Sequence, residues 1–149
     1  MAIQTYPKGK ERCLIGVAKM DPTISSVWKV ILLREGGAFN PSHLTVADVV
    51  SGGFEMSGGS YARQSLVSMS LTISGTYVIW TSNSVTFTAL PVGHTVVAAV
   101  LIYFGAGPDS SAYPVSFYDG GSYPNDLPKD TSGGDLVVTP HATDGWIKA

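Results

Sequence analysis

The chain has 149 residues, of which 44 % are apolar and only 13 % are charged, and its formal net charge is −2. This length suits one ordinary domain, and a single cysteine, Cys13, excludes an internal disulfide framework and a multi-cysteine metal site. Plentiful Gly, Ser, Thr, Val and Tyr with few charged residues favour a β-rich globular domain, in which we expect Cys13 to be a small core residue.

No stretch predicts a membrane segment. The N-terminal residues 1–12 contain no apolar core of the kind found in signal peptides. The longest apolar run, Val96–Phe104, is too short to cross a bilayer as a helix. We therefore expect a soluble protein that is made in the cytoplasm and has no membrane partner.

The elements can be predicted in chain order from periodicity and turn residues. A helix is predicted over Lys8–Ala18, with Pro7 in its first turn, and a second over Ser42–Val50, with Ser42 as its N-cap. Pro114 marks an edge or a bulge in the strand that contains it. The predicted strands are Val27–Leu33, Tyr61–Ile73, Tyr77–Trp80, Val85–Ala89, Thr95–Phe104, Ala112–Tyr118, Leu136–Thr139 and Gly145–Ile147.

This order of short strands and turns predicts an all-β fold. We expect a two-sheet β-sandwich of jelly-roll or related topology, with one or two short helices, formed by residues 1–149 as a single domain. The predicted strand Thr95–Phe104 contains the longest apolar run and should be buried on both faces or central in its sheet. The long loop Asp119–Ser132 is of a length that is usually functional or ordered by a partner.

The usual catalytic templates are absent from the sequence. There is no nucleophile elbow, no zinc-protease helix motif, no phosphate-binding loop and no dinucleotide fingerprint. The histidines, His43, His94 and His141, are dispersed, and Asp126, Asp130 and Asp135 lack the close spacing of calcium loops. We therefore expect no enzyme activity, no metal and no cofactor.

Charge is distributed unevenly along the chain. Residues 1–34 are mainly basic, whereas the chain after residue 64 contains Lys129 and Lys148 against several aspartates. The basic residues near Lys10 are interrupted by Glu11, which does not suit nucleic-acid binding. The asymmetry fits either two solvated loop regions, or head-to-tail contacts between identical subunits or with an acidic partner.

A series of short motifs runs through most of the chain. In order, these are Tyr6-Pro-Lys-Gly-Lys-Glu11, Trp28-Lys-Val-Ile-Leu32, Gly59-Ser-Tyr-Ala-Arg-Gln64, Val85-Thr-Phe-Thr-Ala89, Ile102-Tyr103, Pro114-Val-Ser-Phe-Tyr-Asp119 and Gly133-Gly-Asp-Leu136. The series resembles a family of small structural proteins of tailed bacteriophages. The chain departs from that family's pattern at Ser132, where Asn is common, and in its longer loop Tyr123–Pro128.

The resemblance implies a component of the phage particle that is made in the host cytoplasm. The first hypothesis is a capsid decoration or cement protein, a homo-oligomer that binds the outer shell and bridges major capsid subunits. The expected partner contacts are Lys8, Lys10, Arg12, Arg63, Tyr118, Tyr123 and Asp126, together with the Ala112–Tyr118 strand as an edge and the Asp119–Ser132 loop. The alternatives are a tail tube, fibre or tip component, or a carbohydrate-binding module with exposed Tyr113, Tyr118, Tyr123 and Trp146.

Arg63 lies at the start of the predicted long strand. Apolar and polar residues alternate from Val67 to Ile73, and counting back by two places Arg63 on the apolar face. An isolated buried charge is costly, so we expect a structural ion pair with a carboxylate such as Glu55, with the stem of the arginine along Tyr61, or a contact with a neighbouring subunit. A catalytic role is not expected.

Overall fold

The computed structural model describes residues 3–104, 107–120 and 127–148. These residues form an all-β sandwich of antiparallel sheets with two short α-helices, α1 (Pro7–Leu14) and α2 (Val46–Val50). Short 3₁₀ segments span Pro22–Val27 and Asp109–Ser111. The strands are β1 (Ile3–Thr5), β2 (Trp28–Arg34), β3 (Gln64–Ser65), β4 (Ser70–Ser74), β5 (Tyr77–Thr81), β6 (Val85–Phe87), β7 (Thr95–Tyr103), β8 (Tyr113–Tyr118), β9 (Lys129–Asp130), β10 (Leu136–Val138) and β11 (Ile147–Lys148).

The largest sheet has the strand order β1-β8-β7-β2-β3, and β9 also pairs with β7. Its central strands β2 and β7 pair along their length, from Trp28 opposite Tyr103 to Leu33 opposite Ala98. Both strands are buried almost throughout, as the unbroken apolar runs predict. The all-β prediction and the prediction of a central β7 are confirmed.

One core lies between the large sheet and two smaller sheets. The smaller sheets have the orders β11-β5-β4 and β10-β6. Trp28 of β2 and Trp80 of β5 are both fully buried, and their ring centroids lie 4.4 Å apart. Phe87 of β6 and Trp146 belong to the same core. Large aromatic rings therefore hold the opposed sheets together.

A second core covers the other face of the large sheet. Ile31 of β2 and Phe117 of β8 project into it and pack with Tyr6 and with Val46 of α2. Helix α1 lies directly on β8, where a side chain at Gly9 would collide with the backbone of the strand. Because apolar layers cover both of its faces, the large sheet is a rigid platform.

The predicted long strand Tyr61–Ile73 is wrong as a single element. β3 pairs with β2 in the large sheet, whereas β4 pairs with β5 in a different sheet. Between them Ser68 has a φ of 54°, a left-handed conformation that breaks a strand. The chain therefore changes sheets here, and the alternating pattern belongs to two elements with different surroundings.

Both predicted helices are present, but their ends in the structure differ from the predicted ends. Helix α1 ends at Leu14, and Gly16 follows it with a φ of 75°. Of the apolar residues in the predicted helix Lys8–Ala18, Leu14 and Ile15 are exposed to solvent, whereas Ala18 is buried. Helix α2 is capped by Thr45, not Ser42, because its side chain accepts a hydrogen bond from the Asp48 backbone amide.

The predicted Ala112–Tyr118 strand is present as β8, but it is not an edge strand. It pairs with β7 on one side and with β1 on the other. The register shifts beside Pro114, so this proline marks a bulge, as one of the two sequence interpretations required. Because β1 and β7 occupy its two edges, β8 offers no free edge to a partner where it pairs with β1.

Candidate interaction surface

The strands β4 and β5 form a hairpin that extends beyond the body of the sandwich. They pair from Ser70 opposite Thr81 to Ser74 opposite Tyr77, and Gly75, with a φ of 61°, begins the turn. Every residue of β4 is exposed to solvent. The base of the hairpin is anchored, because Trp80 of β5 is buried in the core and pairs with Ile147 of β11.

One face of this hairpin is apolar and uncovered. Residues directly opposite each other share a face, so Leu71, Ile73, Val78 and Trp80 lie on the same side of the hairpin. Trp80 is fully buried, whereas Leu71 is 46 %, Val78 41 % and Ile73 80 % exposed. The apolar face of the β11-β5-β4 sheet is thus buried at Trp80 and exposed to solvent further along the hairpin.

The outer edge of β4 has no strand beside it among the described residues, since the order of its sheet is β11-β5-β4. Soluble proteins usually protect such an edge with Lys, Pro or an inward-pointing charge. None is present here, because the chain contains no Asp, Glu, Lys or Arg between Arg63 and Asp109 and no Pro between Arg63 and Pro91. β4 therefore combines an open row of backbone donors and acceptors with uncharged, partly apolar side chains.

Strand β11, which pairs with β5 of the hairpin, carries a charged group. Lys148 donates a hydrogen bond to Asp144 at 2.7 Å, and its ammonium nitrogen lies 4.5 Å from the ring centroid of Tyr77. This pairing raises the pKa of Lys148 and lowers the pKa of Asp144. The cation is held beside β5, two strands away from the outer edge.

Arg63 is the centre of a separate, partly buried ion cluster. Its guanidinium donates to both carboxylate oxygens of Glu55, at 2.8 and 2.6 Å, and to both of Asp109, at 2.6 and 2.8 Å. The hydroxyl of Tyr61 donates to Glu55 at 2.9 Å and accepts from the backbone amide of Leu32 at 3.2 Å. The predicted ion pair with Glu55 is confirmed.

This cluster joins distant parts of the chain. Asp109 lies 46 residues beyond Arg63, in the second 3₁₀ segment, and local patterns did not predict its participation. Hydrogen bonds from Arg63 lower the pKa of Asp109, and burial is the main cause of the raised pKa of Tyr61. Because two carboxylates already hold the guanidinium, the cluster acts as a structural clamp.

The basic residues of the N-terminal region do not form one patch. Lys8 donates to Glu11 at 2.7 Å, and the guanidinium of Arg12 lies 5.0 Å from the ring centroid of Tyr113. Lys10 is exposed and lines a small apolar pocket of about 120 Å³ near the end of the helix. Residues two apart lie on nearly opposite sides of a helix, so Lys10 is directed away from the other two basic residues.

Two of the four aromatic residues predicted for a contact face, Tyr118 and Trp146, are buried. Tyr118 is only 7 % exposed, and its hydroxyl donates to the backbone oxygen of Trp146, which is itself buried. Tyr118 therefore cannot contact a partner from this position, and neither aromatic ring is available for a sugar. The predicted contacts Tyr123 and Asp126 lie outside the described residues.

The remaining polar candidates have structural partners. His94 lies 3.1 Å from a carboxylate oxygen of Glu35, and Asp130 accepts a hydrogen bond from Thr95. The Asp135 carboxylate accepts from the backbone amide of Ala89. Within residues 3–104, 107–120 and 127–148, no group of three or more His, Cys, Asp or Glu side chains could hold a metal ion.

Cys13 is only partly buried and packs against the edge of the core, which corrects its predicted place inside. Burial nevertheless raises the pKa of its thiol to about 11. A thiol with this pKa is almost fully protonated near neutral pH and is a weak nucleophile. Cys13 therefore contributes packing.

A pocket of about 350 Å³ opens between helix α2 and the loop after β2. His43, Phe39 and Phe54 line it together with Asp48. The Asp48 carboxylate is already engaged, because it accepts hydrogen bonds from the backbone amides of Leu44 and Thr45. These contacts lower the pKa of Asp48 and identify it as the partner of the N-cap residue Thr45 in the capping box of helix α2.

Comparisons with known proteins identify no relative: no family model matches the chain, and neither the curated proteins nor the solved structures include a significant match. Among the described helices, none is both long and apolar enough to span a bilayer. The hairpin β4–β5 is the feature of the described surface that folding of a single chain explains least.

Proposed function

We propose that the chain is a structural protein of a tailed-bacteriophage particle, and specifically a decoration or cement protein bound to the outside of the capsid. In this role it is made in the host cytoplasm, assembles as a homo-oligomer and bridges major capsid subunits. The observation that carries the proposal is the uncharged, apolar and unpaired hairpin β4–β5 on a rigid sandwich.

The hairpin supports an assembly role for a physical reason. Exposed apolar strand edges promote association, and soluble monomers avoid them. In an assembled particle a neighbouring subunit covers the edge, and its open backbone groups add a strand-to-strand contact. A cement protein stabilises a shell in this way, by added buried area and backbone pairing, without chemistry.

The motif series from Tyr6 to Leu136 supports the assignment to a tailed-phage particle, because it resembles structural proteins of tailed phages. The clamp around Arg63 fits the same role, because a bridging subunit must keep its shape under load from its neighbours. No specific feature of the described residues favours the tail over the capsid.

Quantitative mass spectrometry of purified phage particles tests the proposal directly. A decoration protein is expected at a copy number comparable to that of the major capsid protein, and its density is expected on the outer shell in a particle reconstruction. Absence from particles, or a copy number matching the tail alone, would refute the capsid role.

A paired substitution tests the hairpin in the same particles. Ile73→Lys places a charge on the apolar face, where 80 % exposure leaves the fold unaffected. Val92→Lys is the matched control, since Val92 is 67 % exposed in a turn outside the hairpin. We expect Ile73→Lys to lose incorporation while Val92→Lys keeps it; equal incorporation of both variants would show that the hairpin is not the docking surface.

A further inference from the structure

We propose that the outer edge of β4 pairs with β4 of a second copy of this chain, antiparallel and about a two-fold axis. The two three-stranded sheets then join into one continuous sheet with the order β11-β5-β4-β4-β5-β11. This inference rests on the proposed assembly role of the hairpin and names the partner of that surface. The interface is isologous, because each copy offers the same strand.

The residue pattern of β4 is self-complementary. The strand reads Ser-Leu-Thr-Ile-Ser from Ser70 to Ser74, and hydroxyl and aliphatic residues alternate in the same order from either end. An antiparallel pair centred on Thr72 places Leu71 opposite Ile73 of the second copy, and Ser70 opposite Ser74. Aliphatic residues thus meet aliphatic residues on one face, and hydroxyls meet hydroxyls on the other.

Other registers satisfy this strand less well. A shift of one residue places Leu71 opposite a hydroxyl residue and mixes the two faces. A shift of two residues preserves the faces but leaves part of the five-residue strand without a partner. The register centred on Thr72 is the one that pairs all five residues and keeps the apolar face continuous.

The charge distribution favours a second copy as the occupant. A two-fold axis brings each side chain near it close to its own image, so any charge on the strand would face an identical charge. β4 and β5 contain no charged residue, and none occurs between Arg63 and Asp109. The cation at Lys148 lies on β11, two strands from the axis. The pairing is therefore free of like-charge repulsion at the axis.

Disulfide trapping tests the register. Cys13 is first replaced by Ser, and Thr72→Cys or Ser70→Cys is then introduced at exposed positions of β4. On the axis, Cys at position 72 faces its own copy and is expected to form a covalent dimer under mild oxidation. Cys at position 70 faces position 74 of the second copy and is expected to stay monomeric. Equal trapping at both positions, or none at position 72, would overturn the proposed register.

Sedimentation equilibrium of the unmodified chain tests the dimer itself. We expect a monomer–dimer equilibrium that is insensitive to salt, because no charges meet at the interface. We expect Thr72→Lys to weaken the affinity of the dimer at least several-fold. A chain that is monomeric at all concentrations, or a dimer that Thr72→Lys leaves intact, would overturn the inference. Failure of the phage role is distinct: it would appear as a dimer in solution that is absent from particles.

Discussion

Replacing Arg63 by alanine is the sharpest test of how the sandwich is held together. The substitution removes four charge-assisted hydrogen bonds and leaves the Glu55 and Asp109 carboxylates facing each other with no cation between them. The side chains of the three residues are 19 %, 20 % and 30 % exposed. They are therefore partly shielded from water, and the remaining carboxylates are not fully solvated.

The expected cost lies between two known limits. Exposed ion pairs contribute at most about 1 kcal/mol, whereas removing one partner of a fully buried pair costs about 3–5 kcal/mol. For a cluster of intermediate exposure we expect Arg63→Ala to lower the free energy of unfolding by about 2–3 kcal/mol. In a chain of this size that loss corresponds to a thermal midpoint lower by about 4–12 °C.

Urea unfolding followed by tryptophan fluorescence measures the loss, with Arg34→Ala as the matched control. Arg34 donates to the backbone oxygen of Gly53 at 2.9 Å, and we expect its removal to cost less than about 1 kcal/mol. If Arg63→Ala unfolds within about 0.5 kcal/mol of the unmodified chain, or if the control costs as much, the clamp is not a main source of stability.

The pH dependence gives an independent check on the same variant. Arg63 lowers the pKa of Asp109 in the folded chain, so its contribution is present above the unfolded pKa of about 4 and is lost as the pH falls through the folded value. Protonation also relieves the repulsion between carboxylates in the variant. The difference in stability should therefore shrink in acid; a constant difference from neutral pH to acid would contradict this assignment.

Three further predictions concern the packing of α1, a buried hydrogen bond and a partly buried thiol. Gly9→Ala is expected to lower the thermal midpoint, because the new Cβ would meet the backbone of β8, whereas Gly134→Ala, with nothing within 4 Å, is expected to be neutral; equal midpoints in calorimetry would argue against close packing of α1. Tyr118→Phe removes the hydrogen bond to Trp146 and should cost about 1 kcal/mol in urea unfolding, a loss that a purely apolar role would not produce. Cys13 should react with iodoacetamide at pH 8 about 100-fold more slowly in the folded chain than in urea, because burial raises its pKa to about 11, and comparable rates would disprove this shift.

The central strands could be predicted from the sequence because their environment is uniform. β2 and β7 are buried on both faces, so their apolar runs are unbroken and unambiguous. The ion pair of Arg63 with Glu55 could also be predicted, since a partly buried arginine requires a nearby carboxylate. Asp109 was not, because it lies 46 residues away and nothing in its local sequence indicates where the fold brings it.

The hairpin could not be predicted for a different reason. Alternation from Val67 to Ile73 identifies an apolar face but not what covers it, and the interpretation as a core face is wrong for the exposed residues. The break at Ser68 depends on a backbone conformation that serine rarely adopts. The prediction of Tyr118 as a partner contact is wrong for a similar reason. Its position at the end of a strand does not indicate that its hydroxyl donates a hydrogen bond to the backbone of the buried Trp146.

The apolar character of the hairpin separates what the fold requires from what a partner requires. Trp80 must be apolar, because it is fully buried against Trp28 in the core. Ile73 lies on the same face but is 80 % exposed, so a lysine there would cost the folded chain little and would protect the edge. Folding of one chain therefore accounts for Trp80 but not for Ile73. A second surface that covers the strand accounts for both, since it makes the exposed end of the apolar face part of a buried one.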